Sequence, residues 1–142
     1  MTSPATPEAR MRIAKIIHAS LMTGVMLFLL ATAWLHRVTP PGAVPVSGPL
    51  LTDVGLGILV AALLSLRFLP GPDPAPAPGQ APDQWWMTSQ FRLIVRWAVV
   101  DGACLVNAVL WYLRRDRVSL AAALAWLAVL LALRPSRYLE IG

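Results

Sequence analysis

Four long apolar segments, separated by clusters of proline, glycine and charged residues, constrain the fold of this chain more than any other feature. They predict helices at about 11–35, 49–69, 87–113 and 118–133. An apolar segment of about 20 residues is long enough to cross the hydrocarbon core of a bilayer. The sequence therefore predicts an all-α, polytopic membrane protein with four transmembrane helices in a single domain, residues 1–142.

The composition supports this class of protein and argues against several others. Hydrophobic residues make up 57% of the chain and charged residues only 13%, whereas a soluble domain has about 25% charged residues. The net charge of +5 comes from basic residues at the segment ends, which favours membrane anchoring over nucleic-acid binding. Cys104 is the only cysteine, so an intrachain disulfide and a CxxC redox site are excluded. We find no nucleophile–base pair and predict that the protein is not an enzyme.

The first and third segments align when Gly24 is placed over Gly102. The second and fourth segments end alike, in the sequences LLSLR and LLALR. The alignment predicts two parallel repeated hairpins, 11–69 and 87–142, joined by a Pro-rich linker at 70–86. The second hairpin is predicted to end in a short interfacial segment. Basic residues are more numerous beside the termini and the linker, which predicts a bacterial inner-membrane protein with both termini in the cytoplasm.

One aligned position carries Thr23 in the first repeat and Asp101 in the second. A lone carboxylate near the middle of a transmembrane helix is a functional-site hypothesis, because a charged aspartate there costs at least about 2.5 kcal/mol. Asp101 is either a neutral hydrogen-bond donor or a group that handles a proton or cation. In the first case Thr23 is the expected partner, with Ser20 in reserve, and Asn107 adds a second interhelical hydrogen bond to this polar contact between the hairpins.

His18 suggests a haem or a chlorophyll-type pigment as a further alternative. The other histidine, His36, lies about 27 Å away along a helix, so both cannot ligate one haem within a monomer. Ligation of a pigment by His18 alone, or of a haem shared between subunits, stays open. The leading expectation is that the protein has no cofactor, and the sequence shows no cluster of histidines, cysteines and carboxylates for a metal ion.

Gly55 and Gly57 lie in the second segment, in the sequence DVGLG. They are not part of a phosphate-binding loop, because no strand or basic residue accompanies them. We interpret both as packing glycines, which allow another helix to approach closely.

A tandem pair of apolar hairpins with one embedded carboxylate resembles the duplicated proteolipid, or c-subunit, of rotary ATPases. The resemblance concerns the layout of the whole chain and implies that Asp101 would be the ion-binding carboxylate. Here the carboxylate lies on the first helix of its hairpin, whereas in that family it usually lies on the second.

The leading functional expectation is a small non-enzymatic membrane protein, an accessory or structural subunit of a larger complex. Its expected partners are the lipid bilayer and either other membrane subunits or further copies of itself, with no nucleic acid. Proton or cation translocation through Asp101 is the first alternative, and a pigment- or haem-binding subunit using His18 is the second.

Overall fold

The structure is a computed structural model that describes residues 6–40, 49–72 and 76–135. These residues form four α-helices and no strand: α1 (Pro7–Val38), α2 (Pro49–Phe68), α3 (Pro82–Arg114) and α4 (Arg117–Ala132). The predicted all-α class and the number of helices are confirmed. The predicted interfacial C-terminal segment lies outside the described residues.

Local sequence signals explain where the helices begin and end. The Thr6 side chain accepts a hydrogen bond from the Ala9 amide (3.3 Å) and caps α1. α3 begins at Pro82, earlier than predicted, because proline is well tolerated in the first turn of a helix. At the other end of α3, Arg115 adopts a left-handed conformation (φ 56°) and donates its amide to the Trp111 carbonyl (2.8 Å). This tight turn lets α4 fold back antiparallel to α3.

α3 is the central helix of the fold. It packs against all three other helices, most extensively against α4, whereas α1 and α2 barely contact each other. The residues of the core that are almost fully buried include Val25, Leu93, Trp97, Val100, Cys104, Ala108, Ala123 and Leu130. A symmetric pair of repeats would require α1 to pack on α2 as α3 packs on α4. The structure lacks that symmetry, and the first predicted hairpin (11–69) is held together through α3 instead.

α1 and α3 run parallel to each other. Near their N-terminal ends, Arg10 Nη2 lies 2.9 Å from Asp83 Oδ1. Near their C-terminal ends, His36 Nε2 donates a hydrogen bond to the Tyr112 carbonyl (3.0 Å). We call the side at which α1 and α3 begin, and α2 and α4 end, the linker side.

The four helices differ in length, so only part of α1 and α3 lies inside the four-helix bundle. α1 and α3 have 32 and 33 residues, or about 48–50 Å at 1.5 Å per residue, whereas α2 with 20 and α4 with 16 span about 30 and 24 Å. Hydrogen bonds from Arg96 to the Leu66 carbonyl (3.1 Å) and from Trp97 to the Leu133 carbonyl (2.7 Å) mark the level at which α2 and α4 end. α1 and α3 extend beyond that level on the linker side.

Two of the helices, α1 and α3, are long and apolar enough to cross a membrane. Only 22% of the most apolar stretch of α1, and 44% of that of α3, is buried inside the protein. Most of the apolar surface of α1 therefore faces outward, and its exposure to water would be unfavourable. This exposure indicates, weakly on its own, a membrane protein.

Candidate functional site

Asp101 is partly buried on α3, inside the four-helix section of the bundle. Its Oδ1 atom is closed off from solvent and has no hydrogen-bond partner among the described residues. One turn further along α3, the buried thiol of Cys104 donates a hydrogen bond to the Ala123 carbonyl of α4 (3.1 Å). A buried oxygen without a partner costs about 1–3 kcal/mol, so Asp101 is maintained at an energetic cost in this arrangement.

The predicted contact between Asp101 and Thr23 is not formed. The parallel register of α1 and α3 places Thr23 near the depth of Asp101, since the ring of His18 lies 5.0 Å from that of Trp97. Thr23 and Ser20, however, are exposed on the outer side of α1. The buried side of α1 instead carries a repeat with helical spacing, Ala14, His18, Val25 and Thr32. The alignment therefore predicted the depth of Thr23 but not the direction in which it points.

Asn107 is buried but does not form the predicted interhelical hydrogen bond. Its Nδ2 atom donates to the Ala103 carbonyl (2.8 Å) within α3. The side chain packs where α2 comes close, because a Cβ atom on Gly55 would lie 3.5 Å from Asn107 Oδ1 and 2.8 Å from Leu110 Cδ1. Gly55 is thus confirmed as a packing glycine. Gly57 is not, since no atom lies within 4 Å of a Cβ built there.

His18 caps the end of α4 together with Trp97. The Nε2 atom of His18 lies 2.8 Å from the Leu130 carbonyl, and Trp97 Nε1 donates to the Leu133 carbonyl (2.7 Å). The last carbonyls of a helix have no amide four residues further on to bond. The Leu130 carbonyl accepts from the Leu133 amide (3.2 Å), and side chains from α1 and α3 supply further donors to the end of α4. This role of Trp97 was not predicted from the sequence. Its one signal is that the last turn of α4 contains no basic residue of its own.

This hydrogen bond also shows which nitrogen of the His18 ring carries a hydrogen. A carbonyl oxygen can only accept a hydrogen bond, so Nε2 carries the proton. A ring nitrogen that carries a proton cannot ligate a haem or pigment metal, and only Nδ1 retains a lone pair in the neutral ring. His36 is in the same state, since its Nε2 donates to the Tyr112 carbonyl. Neither histidine offers Nε2 to a cofactor in this arrangement.

A second buried polar atom without a partner lies on α4. Trp126 is 3% exposed, and its Nε1 atom has no hydrogen-bond acceptor among the described residues. Trp126 was not among the residues predicted from the sequence, because a tryptophan in an apolar helix has the same pattern as any other core aromatic residue. The importance of the unpaired Trp126 Nε1 atom depends on which residues of α3 lie near it.

Two short motifs of small residues lie on the outer surface of the protein. Ser20 and Gly24 on α1, and Ala98 and Gly102 on α3, are each four residues apart and exposed. No atom lies within 4 Å of a Cβ built on Gly24 or on Gly102. Since the two helices are parallel, both motifs lie at similar depth. We call these four residues the small-residue surface.

No protein-family model, curated protein or solved structure matches this chain. The resemblance of its layout to duplicated proteolipids is therefore not accompanied by a family match. Within 6–40, 49–72 and 76–135, no three histidines, cysteines or carboxylates are grouped in a way that could hold a metal ion. The fold defines an all-α protein of four helices, two of which could cross a membrane.

Proposed function

We propose that this protein is a non-enzymatic integral-membrane subunit, with all four helices across the bilayer. α2 has 20 residues and exposes large apolar side chains such as Leu56, Val60 and Leu63, each at least half exposed. α4 has 16 residues and is short for a bilayer core of about 30 Å. The arginines at its ends, Arg117 and Arg134, are exposed and can extend toward the lipid head groups.

The small-residue surface is the observation that supports a subunit rather than an isolated membrane protein. Lipid chains are as apolar as leucine, so a surface that faces lipid alone gains nothing from glycine or serine. Small residues four apart instead let the backbone of another helix approach closely. The exposed pairs Ser20/Gly24 and Ala98/Gly102 thus fit a transmembrane helix of another subunit, or of a second copy, against α1 and α3.

The test is the size of the complex that the full-length protein forms in native membranes. Gly24→Leu and Gly102→Leu place a bulky side chain in the open space of the small-residue surface. Gly57→Leu is the matched control, because Gly57 is equally open but lies on α2. After mild detergent extraction and native electrophoresis, the first two variants should lose a complex that the control retains.

Helical content measured by circular dichroism should be the same in all three variants, which separates lost association from misfolding. A wild-type protein that migrates as a monomer would refute the proposal. Equal retention of the complex by Gly24→Leu, Gly102→Leu and Gly57→Leu would refute it as well, because the complex would then not use this surface.

Proton or cation handling by Asp101 is the second candidate function. The observation in its favour is the buried, unpartnered Oδ1 atom within the bundle section. Asp101→Asn preserves the shape of the side chain but cannot ionise. In vesicles containing a pH-sensitive dye, the wild-type protein should dissipate an imposed pH gradient faster than Asp101→Asn does, and equal rates would eliminate this candidate.

The orientation in the membrane is also a proposal. Among the described residues, basic side chains are more numerous on the linker side than at the opposite end of the bundle. Those on the linker side include Arg10, Arg12, Lys15, Arg67 and Arg92. The positive-inside rule then places the linker side, with both termini, in the cytoplasm of a bacterial inner membrane. A reporter enzyme that works only in the cytoplasm should be active when it is fused after residue 142. A reporter enzyme that works only in the periplasm should be inactive at the same position.

A further inference from the structure

Of the five buried polar side-chain atoms that have no partner among the described residues, two lie on facing helices. Asp101 Oδ1 on α3 can accept a hydrogen bond, and Trp126 Nε1 on α4 can only donate one. Native proteins leave few buried polar atoms unpaired, so each such atom calls for an explanation. Here one explanation covers both, because their chemistry is complementary.

The register of α3 against α4 places the two residues within about one helical turn of each other in depth. The thiol of Cys104 donates to the Ala123 carbonyl (3.1 Å), which fixes one level of the antiparallel pair. Asp101 lies three residues before Cys104, and Trp126 lies three residues after Ala123. In antiparallel helices both steps run one turn toward the linker side.

A second contact between α3 and α4 lies closer to the linker side than Asp101 and Trp126 do. Trp97 Nε1 donates to the Leu133 carbonyl (2.7 Å), about one turn beyond Asp101 on α3 and two turns beyond Trp126 on α4. Asp101 and Trp126 therefore lie between two fixed points of the same helix pair. Trp126 also belongs to the buried side of α4, with Ser119, Ala123 and Leu130.

We infer that Asp101 and Trp126 form a proton-binding site that controls the contact between α3 and α4. When the carboxyl loses its proton to water, the carboxylate accepts a hydrogen bond from Trp126 Nε1. When the carboxyl binds a proton, the O–H bond re-forms and this hydrogen bond weakens, so the two side chains can separate. Hydrogen bonds to ionised acceptors are stronger than those between neutral groups, so the contact responds to the proton.

No other ionisable group competes at this depth among the described residues. Cys104 is the nearest ionisable group on α3, and its thiol is bonded to the Ala123 carbonyl. Arg96 lies more than one turn from Asp101 toward the linker side, and its guanidinium donates to the Leu66 carbonyl of α2. On α1, His18 lies nearer the linker side and is bonded to the Leu130 carbonyl. α4 carries only Arg117, at its far end, and the charged residues of α2, Asp53 and Arg67, are exposed near its two ends.

The inference rests on Asp101 exchanging a proton, as in the second candidate function, but it does not require transport. It can be tested with the full-length protein in lipid nanodiscs, labelled with 5-fluorotryptophan. The ¹⁹F resonance of Trp126 is assigned by its loss in Trp126→Phe. In the wild-type protein this resonance should shift along a single titration curve as the pH rises, and in Asp101→Asn the shift should be lost.

Asp101→Glu keeps an ionisable group and should restore a titrating resonance, which guards against a misfolded Asp101→Asn variant. A Trp126 resonance that does not change with pH, or that titrates equally in Asp101→Asn, would overturn the inference. Failure of the transport function is distinguishable: the resonance would then titrate in a protein that does not dissipate a pH gradient. Conversely, Asp101-dependent flux with a silent Trp126 resonance would overturn only the inference.

Discussion

Replacing Gly55 with alanine should destabilise the protein relative to the same replacement at Gly57. A Cβ atom at Gly55 would lie 2.8 Å from Leu110 Cδ1, closer than real Cβ atoms come to their neighbours. At Gly57 the same atom would meet nothing within 4 Å. Both glycines lie in α2, so the comparison isolates the contact between α2 and α3.

The magnitude follows from two opposing effects. Adding a methyl group to a well-packed contact costs about 1–3 kcal/mol. Alanine is also favoured over glycine inside a helix by about 0.5–1 kcal/mol, at both positions. That helical gain cancels in the difference between the variants, which leaves about 1–3 kcal/mol for the clash. The lower half of this range is expected, because Leu110 Cδ1 is the end of a side chain that can rotate.

The assay is reversible unfolding in mixed micelles of dodecyl sulfate and a mild detergent, followed by circular dichroism. Gly55→Ala should unfold at a lower dodecyl sulfate fraction than Gly57→Ala, and Gly55→Leu should be displaced further than Gly57→Leu. Equal free energies of unfolding for the two alanine variants, together with equal values for the two leucine variants, would show that α2 does not pack on α3 through Gly55.

Two further predictions concern the ends of α4. Trp97→Phe removes the donor to the Leu133 carbonyl and should cost about 1–3 kcal/mol, whereas Trp34→Phe, at a residue 61% exposed, should change the free energy of unfolding by less than about 0.5 kcal/mol. Asp116 caps α4 through hydrogen bonds from the amide and hydroxyl of Ser119, both 2.8 Å. Asp116→Ala should therefore cost about 0.5–2 kcal/mol near pH 7. Asp116→Asn can still accept the hydrogen bond from the Ser119 amide, but it loses the negative charge that strengthens both hydrogen bonds from Ser119. Burial, the largest single influence, raises the pKa of Asp116, but the hydrogen bonds from Ser119 and the nearby positive charge together hold the pKa below its usual value. Stabilisation by the ionised carboxyl is thus complete above about pH 4 and is lost as the pH falls through the lowered pKa. Unfolding measured from pH 7 to pH 2.5 should show the advantage of wild type over Asp116→Asn disappearing, and a constant difference would contradict this account.

The positions of the helices could be predicted from the sequence because they depend on local signals. Apolar segments separated by prolines predicted four helices, and the structure contains four, with bounds that differ by a few residues. The depth relation between α1 and α3 also held, as the contact of His18 with Trp97 shows.

The candidate site could be predicted only in part. Asp101 was identified as a candidate because a carboxylate is rare in an apolar segment. Its buried oxygen without a hydrogen-bond partner supports that choice. Trp126 carried no comparable signal, since its importance comes from the register of α4 on α3. The cap formed by His18 depends in the same way on where α4 ends, which is a property of the folded bundle.

The sequence alone determined that this protein is a set of four apolar helices, with one acid at a defined depth in the third. The tertiary structure decided which side of each helix faces inward: Thr23 is exposed, α1 and α2 are joined mainly by α3, and Trp126 is on the buried side of α4. The physical reason is that hydrophobicity identifies the buried face of a helix only when the opposite face is polar. In helices that are apolar on all sides, close packing around residues such as Gly55 selects the buried side, and that selection requires the neighbouring helix to be in place.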